Sequence, residues 1–166
     1  MKRIISPLSK PLQPILSTFL ILMTLLMGAC GNAATTEETH DFQALSKEMQ
    51  TRKLPLLLAF RADYCTYCQQ LESEYLIPML KSPDYNERII IRSFSLGEVE
   101  TITDFNGDTV DADVFATKHG ATLTPTLVFL DSTGKAVAEP LLGYNSPDFY
   151  GAYLESAIDT AHAAVQ

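Results

Sequence analysis

Two cysteines separated by two residues, Cys65 and Cys68 in the stretch DYCTYCQQ, are the residues of this chain best suited to covalent chemistry. Such a pair can supply half of a metal site, staple the chain, or exchange electrons with the thiols and disulfides of other proteins. A zinc site takes four ligands, usually two such pairs. The third cysteine, Cys30, is far away in sequence, and His40, His119 and His162 stand alone without metal spacing. Covalent haem needs histidine directly after the second cysteine, where Gln69 stands. As a staple, so short a loop removes little chain entropy, although a structural disulfide stays open as an alternative. Exchange fits the context best, and no metal or cofactor is expected.

Exchange requires a thiolate. A free thiol with a pKa of about 8.5 is only a few per cent ionised at pH 7, and lowering it to about 7 makes it half thiolate. A helix opening at Cys65 supplies the means, because its first N–H groups and the positive end of its dipole then lie beside that sulfur. Cys68, one turn deeper, falls on the same side and can close a disulfide with Cys65. The pattern predicts two unequal roles: Cys65 the exposed nucleophile, Cys68 the shielded thiol that resolves a mixed disulfide.

The elements that must position this pair follow in chain order. Phe42, Leu45 and Met49 recur at helical spacing, predicting a helix over 36–52. Leu54 to Phe60 is an apolar run without alternation, the pattern of a strand buried on both faces. The helix from Cys65 turns Cys68, Leu71, Tyr75 and Leu76 inward and is ended or kinked at Pro78. Arg88 to Phe94 is a second strand, and Asn106-Gly107 marks a small hairpin excursion. The acids of that excursion lack the glycine and closing Glu of an EF-hand. A helix over 112–119 follows, then strands at 127–130 and 135–139 flanking the turn Asp131-Ser132-Thr133-Gly134. The last helix begins at Ser146 or Pro147 and runs to Ala163, with Phe149, Tyr153, Ala157 and Ile158 as its expected buried stripe. The order implies an α/β fold, a central mixed sheet covered by helices on both faces.

Ahead of this domain, Lys2, Arg3 and Lys10 precede an uncharged, mostly apolar run of 13 residues, Ile15 to Met27. The run is shorter than the roughly 20 residues of a bilayer-spanning helix and suits the core of a secretory signal. It ends Leu26-Met27-Gly28-Ala29-Cys30, which resembles the lipobox of bacterial lipoproteins with Met27 in place of the usual Leu. The expected organisation is a signal peptide over 1–29, a lipidated Cys30 with a tether over 30–40, and a single domain over 41–166. Acyl chains on Cys30 would anchor the protein to a membrane. Losing the three basic residues of the leader takes the formal charge from −8 to −11, which argues against nucleic acid as a partner.

The buried strand, the CxxC at the next helix start, and GATLTPTLVFLDSTGKAV further on together resemble the thioredoxin superfamily over most of 42–161. The stretch FRADYCTYCQQLESEYL and the excursion before LTPT are most similar to periplasmic thioredoxin-like proteins of the SoxW type and to the thioredoxin-like domains of transmembrane electron carriers. The resemblance implies a thioredoxin-like fold in which Pro125 is cis and faces the Cys65–Cys68 pair, presenting the backbone of Thr124 to an extended substrate. Tyr64 stands where many thioredoxins have Trp, and with Thr66 and Tyr67 it forms the expected substrate-contacting surface. Ala59 occupies the place of a buried Asp that helps the second cysteine lose its proton; a water, or an acid elsewhere such as Glu72, could serve instead, with a solvated helix surface as the other reading of Glu72. The resemblance implies a cell-envelope thiol–disulfide oxidoreductase, a reductase of disulfides in exported proteins that draws electrons from a membrane dithiol donor. A disulfide-forming oxidase and a non-catalytic redox-sensitive binding module are the alternatives. The expected location is the periplasmic side of a bacterial membrane, lipid-anchored or soluble, with Gly31 after Cys30 favouring the outer membrane.

Overall fold

The computed structural model describes residues 35–144 and 147–166; the expected signal peptide and the expected lipidation site, Cys30, lie outside the described residues. In chain order the elements are α1 (Phe42–Arg52), β1 (Leu56–Arg61), α2 (Thr66–Leu71), a π turn (Glu72–Leu76), α3 (Ile77–Leu80), α4 (Pro83–Asn86), β2 (Ile90–Ser95), β3 (Thr101–Thr103), β4 (Thr109–Asp111), α5 (Ala112–Lys118), β5 (Thr126–Leu130), β6 (Leu141–Leu142) and α6 (Pro147–Ala164). The main sheet has the order β2-β1-β5-β6, with β1 parallel to β2 and the other pairs antiparallel. β3 and β4 form the separate two-stranded excursion.

Side-chain alternation along β1 explains why its sequence is apolar throughout. Leu56, Leu58 and Phe60 join one core with Phe42, Leu45 and Met49 of α1 and Phe115 of α5. Leu57 and Ala59 join a second core with Leu71, Leu76 and Met79 below the CxxC and with Tyr150, Leu154 and Ile158 of α6. Each face of the sheet is thus buried under helices, as the unbroken run of apolar residues requires.

The structure corrects several local expectations. The first helix begins at Phe42, because the Asp41 carboxylate caps it by accepting the Ala44 N–H at 2.8 Å. The preceding residues run extended beside β2, with Ser93 N–H donating to Glu37 O at 2.9 Å and Thr39 N–H to Ser93 O at 3.1 Å. The stretch from Thr36 to His40, expected in the tether, is therefore built into the fold. Pro78 does not end its helix. The proline has no N–H and its ring would crowd the carbonyl four residues back, and the chain answers with the π turn just upstream, where Ile77 N–H reaches Glu72 O.

The expected strand at 135–139 is reduced to one bridge, Leu130 to Ala136. Continuing that register would set Glu139 opposite Leu127, but Leu141 stands there instead. Pro140 cannot donate to the ladder, so the chain bulges past it before pairing resumes as β6. On α6, Phe149 and Tyr153 are exposed, and the buried face is Tyr150, Leu154, Ala157, Ile158 and Ala161. The stripe has the expected period but is rotated by one residue at its start.

The excursion closes the first core. Phe105 stacks near Phe42 (5.2 Å between ring centres) and lies so close to Gly134 that a side chain there would collide with it. Asp104 accepts the N–H groups of Asn106 and Asp108 at 2.8 and 3.0 Å, so its carboxylate serves its own turn.

Candidate active site

β1 ends at Arg61, four residues before Cys65, and Cys65 is the N-cap of α2 with extended backbone. The Cys68 N–H donates to Cys65 Sγ at 3.2 Å, while the Cys65 carbonyl accepts from Cys68 and Gln69 at 3.0 and 3.1 Å. The sulfur thus occupies the position of a capping side chain and meets one of the N–H groups at the open end of the helix. The two cysteines form a disulfide, with 5.2 Å between their Cα atoms. Cys65 is half-buried and Cys68 is 6% exposed, the asymmetry expected of an attacking and a resolving thiol.

The second half of the site comes from β5. Its register sets Thr126 opposite Phe60, so Pro125 enters the sheet at the end where the chain leaves for Cys65. The Thr124–Pro125 peptide bond is cis, as the resemblance implies. The Pro125 carbonyl accepts the Gly143 N–H at 2.8 Å, and Thr126 Oγ1 donates to Leu123 O at 2.7 Å, fixing the segment from both sides. Among the described residues, no backbone group pairs with Thr124. Tyr64 takes a positive φ of 60° and is 98% exposed; Tyr67 is 61% exposed and Thr66 is exposed beside it. Leu123, two residues before Pro125, and Leu142, opposite Thr126 on β6, are also exposed.

The domain family described as "Thioredoxin-like domain" matches residues 42–158. The chain belongs to the thioredoxin-like family. Among solved structures, the thioredoxin Mala s 13 of Malassezia sympodialis aligns with a TM-score of 0.50 at 13% identity, covering 81% of this chain and 99% of that one. Thioredoxin f from spinach chloroplast aligns with a TM-score of 0.50 at 15% identity, covering 78% and 98%. At such identities the likeness is one of fold. No curated protein sequence matches the chain. The thioredoxin-like fold and the CxxC pair together support thiol–disulfide oxidoreductase chemistry at that general level.

Two features of the site go beyond, or against, the sequence reading. Glu72 accepts both the N–H (2.8 Å) and the hydroxyl (2.5 Å) of Thr36, so it fastens the N-terminal segment instead of standing in for the missing acid. Ala59, at that acid's place, is buried in the second core with Leu71 and Leu127. Sequence reasoning also missed Gly143, whose positive φ of 73° and N–H bond hold the Pro125 carbonyl. A glycine closing a short strand was the available signal.

Proposed function

We propose that this chain is a cell-envelope thiol–disulfide oxidoreductase that reduces disulfides in exported proteins. The observation that carries the reading is the Cys68 N–H on Cys65 Sγ at the start of a helix, with Cys68 buried one turn behind. In the reduced protein the same donor favours the Cys65 thiolate over the thiol.

The thiolate attacks one sulfur of a partner disulfide. A bond forms between Cys65 and that sulfur as the partner's S–S bond breaks, and the second partner sulfur leaves as a thiolate and takes up a proton. Cys68, having given its proton to solvent, attacks Cys65 Sγ, closes the Cys65–Cys68 disulfide and releases the first partner sulfur. Two electrons pass from the dithiol to the partner, and both partner sulfurs, released as thiolates, take their protons from solvent, which receives those of the dithiol. A membrane dithiol donor resets the pair by the same steps in reverse. The partner's extended segment lies along Thr124 and Pro125, pairing with the open backbone of Thr124, while Tyr64, Thr66 and Tyr67 contact its flanks.

Similarity of the CxxC stretch to SoxW-type periplasmic proteins supports the reductive direction. The lipobox-like LMGAC sequence supports anchoring through Cys30 on the periplasmic side of a bacterial membrane. A full-length Cys68→Ser variant tests the catalytic reading: it should accumulate proteins covalently held on Cys65, and a simple binding module should not. Insulin reduction surviving in Cys65→Ser would remove Cys65 as the nucleophile. Titration of the pair against glutathione decides direction, a potential well above that of glutathione marking an oxidase. A Cys30→Ser protein still retained at the membrane would refute the anchor.

A further inference from the structure

The Pro125 segment needs something to hold it against the helix that carries the cysteines. β6, which supports it, is an edge strand of only two residues, and so short a ladder fixes little by itself. The next residues tie it down. Gly143 donates to the Pro125 carbonyl, and Tyr144, 4% exposed, donates its hydroxyl to Glu74 Oε2. Glu74 belongs to the π turn that continues the helix begun at Cys65. Its other oxygen accepts from Gln70 Nε2 at 2.9 Å, two residues beyond Cys68. The Tyr144 ring is held between Tyr150, 4.9 Å away between centres, and Tyr75 at 6.1 Å.

We propose that Glu74 and Tyr144 are positioning residues, a latch that ties the Pro125–Gly143 pairing to the Cys65 helix and so sets where a protein substrate meets the nucleophilic sulfur. The latch rests on the redox function proposed for the same site. Attack requires the reacting atoms within about 3–3.5 Å and aligned, and a displacement of about 1 Å can cost on the order of 100-fold in rate. A protein substrate aligned along Thr124 feels any drift of that segment relative to Cys65. A small aromatic disulfide, which does not use the segment, does not. The bond to Tyr144 also favours the charged carboxylate of Glu74 and holds its pKa below the usual value, consistent with a persistent latch.

The test uses full-length protein with insulin and a small aromatic disulfide as parallel substrates. Tyr144→Phe and Glu74→Ala should each lower kcat/KM for insulin several-fold, with kcat falling at least as much as KM rises, while the small-disulfide rate stays within about two-fold of the parent. Glu74→Gln, which keeps an oxygen acceptor for Tyr144, should recover most of the loss, and the double variant should be no worse than either single change. The Gln and Ala variants of Glu74 give the comparison independently if Tyr144→Phe folds poorly. An unchanged insulin kcat/KM, an equal loss on both substrates, or additive effects in the double variant would overturn the latch while leaving the function intact. A parent protein that reduces neither substrate overturns both.

Discussion

His119 illustrates how a single side chain can set the acid stability of this domain. Its ring lies 4.5 Å from that of Phe115, and its Nε2 is buried with no hydrogen-bond partner among the described residues. Burial, and to a lesser degree the charge of Lys118, bring its pKa down from 6.5 to about 4. The unfolded chain therefore takes up a proton on this residue before the folded one does. Stability should fall as pH drops from 6.5 towards 4, by at most about 3 kcal/mol from this residue. Denaturation midpoints measured across that range should show the loss in the parent and lack it in His119→Leu. At the same scale, Cys65, Cys68 and Pro125 were legible in the sequence because their spacing and neighbours are distinctive. The outward, positive-φ pose of Tyr64 was not, since tyrosine rarely adopts that backbone and nothing adjacent announces it. Nor was the employment of Glu72, whose partner Thr36 is 36 residues away in the chain.

Among the elements, the helical run from Thr66 to Leu80 links the site to both margins of the sheet. Its π turn places Glu72 towards Thr36, beside β2, and Glu74 towards Tyr144, just beyond β6. Glu72→Ala leaves the Thr36 N–H and hydroxyl without their carboxylate. Unfolding measurements should show a loss of about 1.5–3 kcal/mol, the range for hydrogen bonds to a charged group. A change below about 0.3 kcal/mol would mean that water replaces the carboxylate at no cost. Pro78 announced an irregularity in the sequence, and its steric demand on the previous turn explains why the irregularity lies upstream of the proline. The position of β6 was illegible for a related reason: the turn at Asp131 predicts a hairpin, but only the tertiary register shows where Pro140 interrupts it.

For the molecule as a whole, β1 divides two apolar cores that differ in character. The α1 side is rich in phenylalanine, with Phe94 and Phe115 in ring contact with each other and each with both Phe42 and Phe60. The side below the CxxC is mostly aliphatic, with Phe129 and a tyrosine cluster, Tyr75, Tyr144 and Tyr150. Phe94 is fully buried and touches three of these rings. Its replacement by Ala should destabilise the domain by about 3–5 kcal/mol, read from chemical denaturation, and lower insulin reduction only as far as folded protein is lost. The overall architecture was readable because the doubly buried strand, the CxxC and the TPT segment occur in an order that few sheets share. The face of α6 was harder to place, since aromatic residues at 149, 150 and 153 offer two overlapping stripes and only packing selects one.

All of the proposed chemistry depends on backbone donors at the start of α2 holding one sulfur ionised while its partner waits behind it. Alkylation of the fully reduced chain, followed residue by residue by mass spectrometry across pH, puts that dependence to the test. Cys65 should react first, with an apparent pKa below the ordinary thiol value of about 8.5, and Cys68 should stay largely protected. Equal reactivity of the two sulfurs, or a Cys65 that ionises no more readily than a free thiol, would refute it.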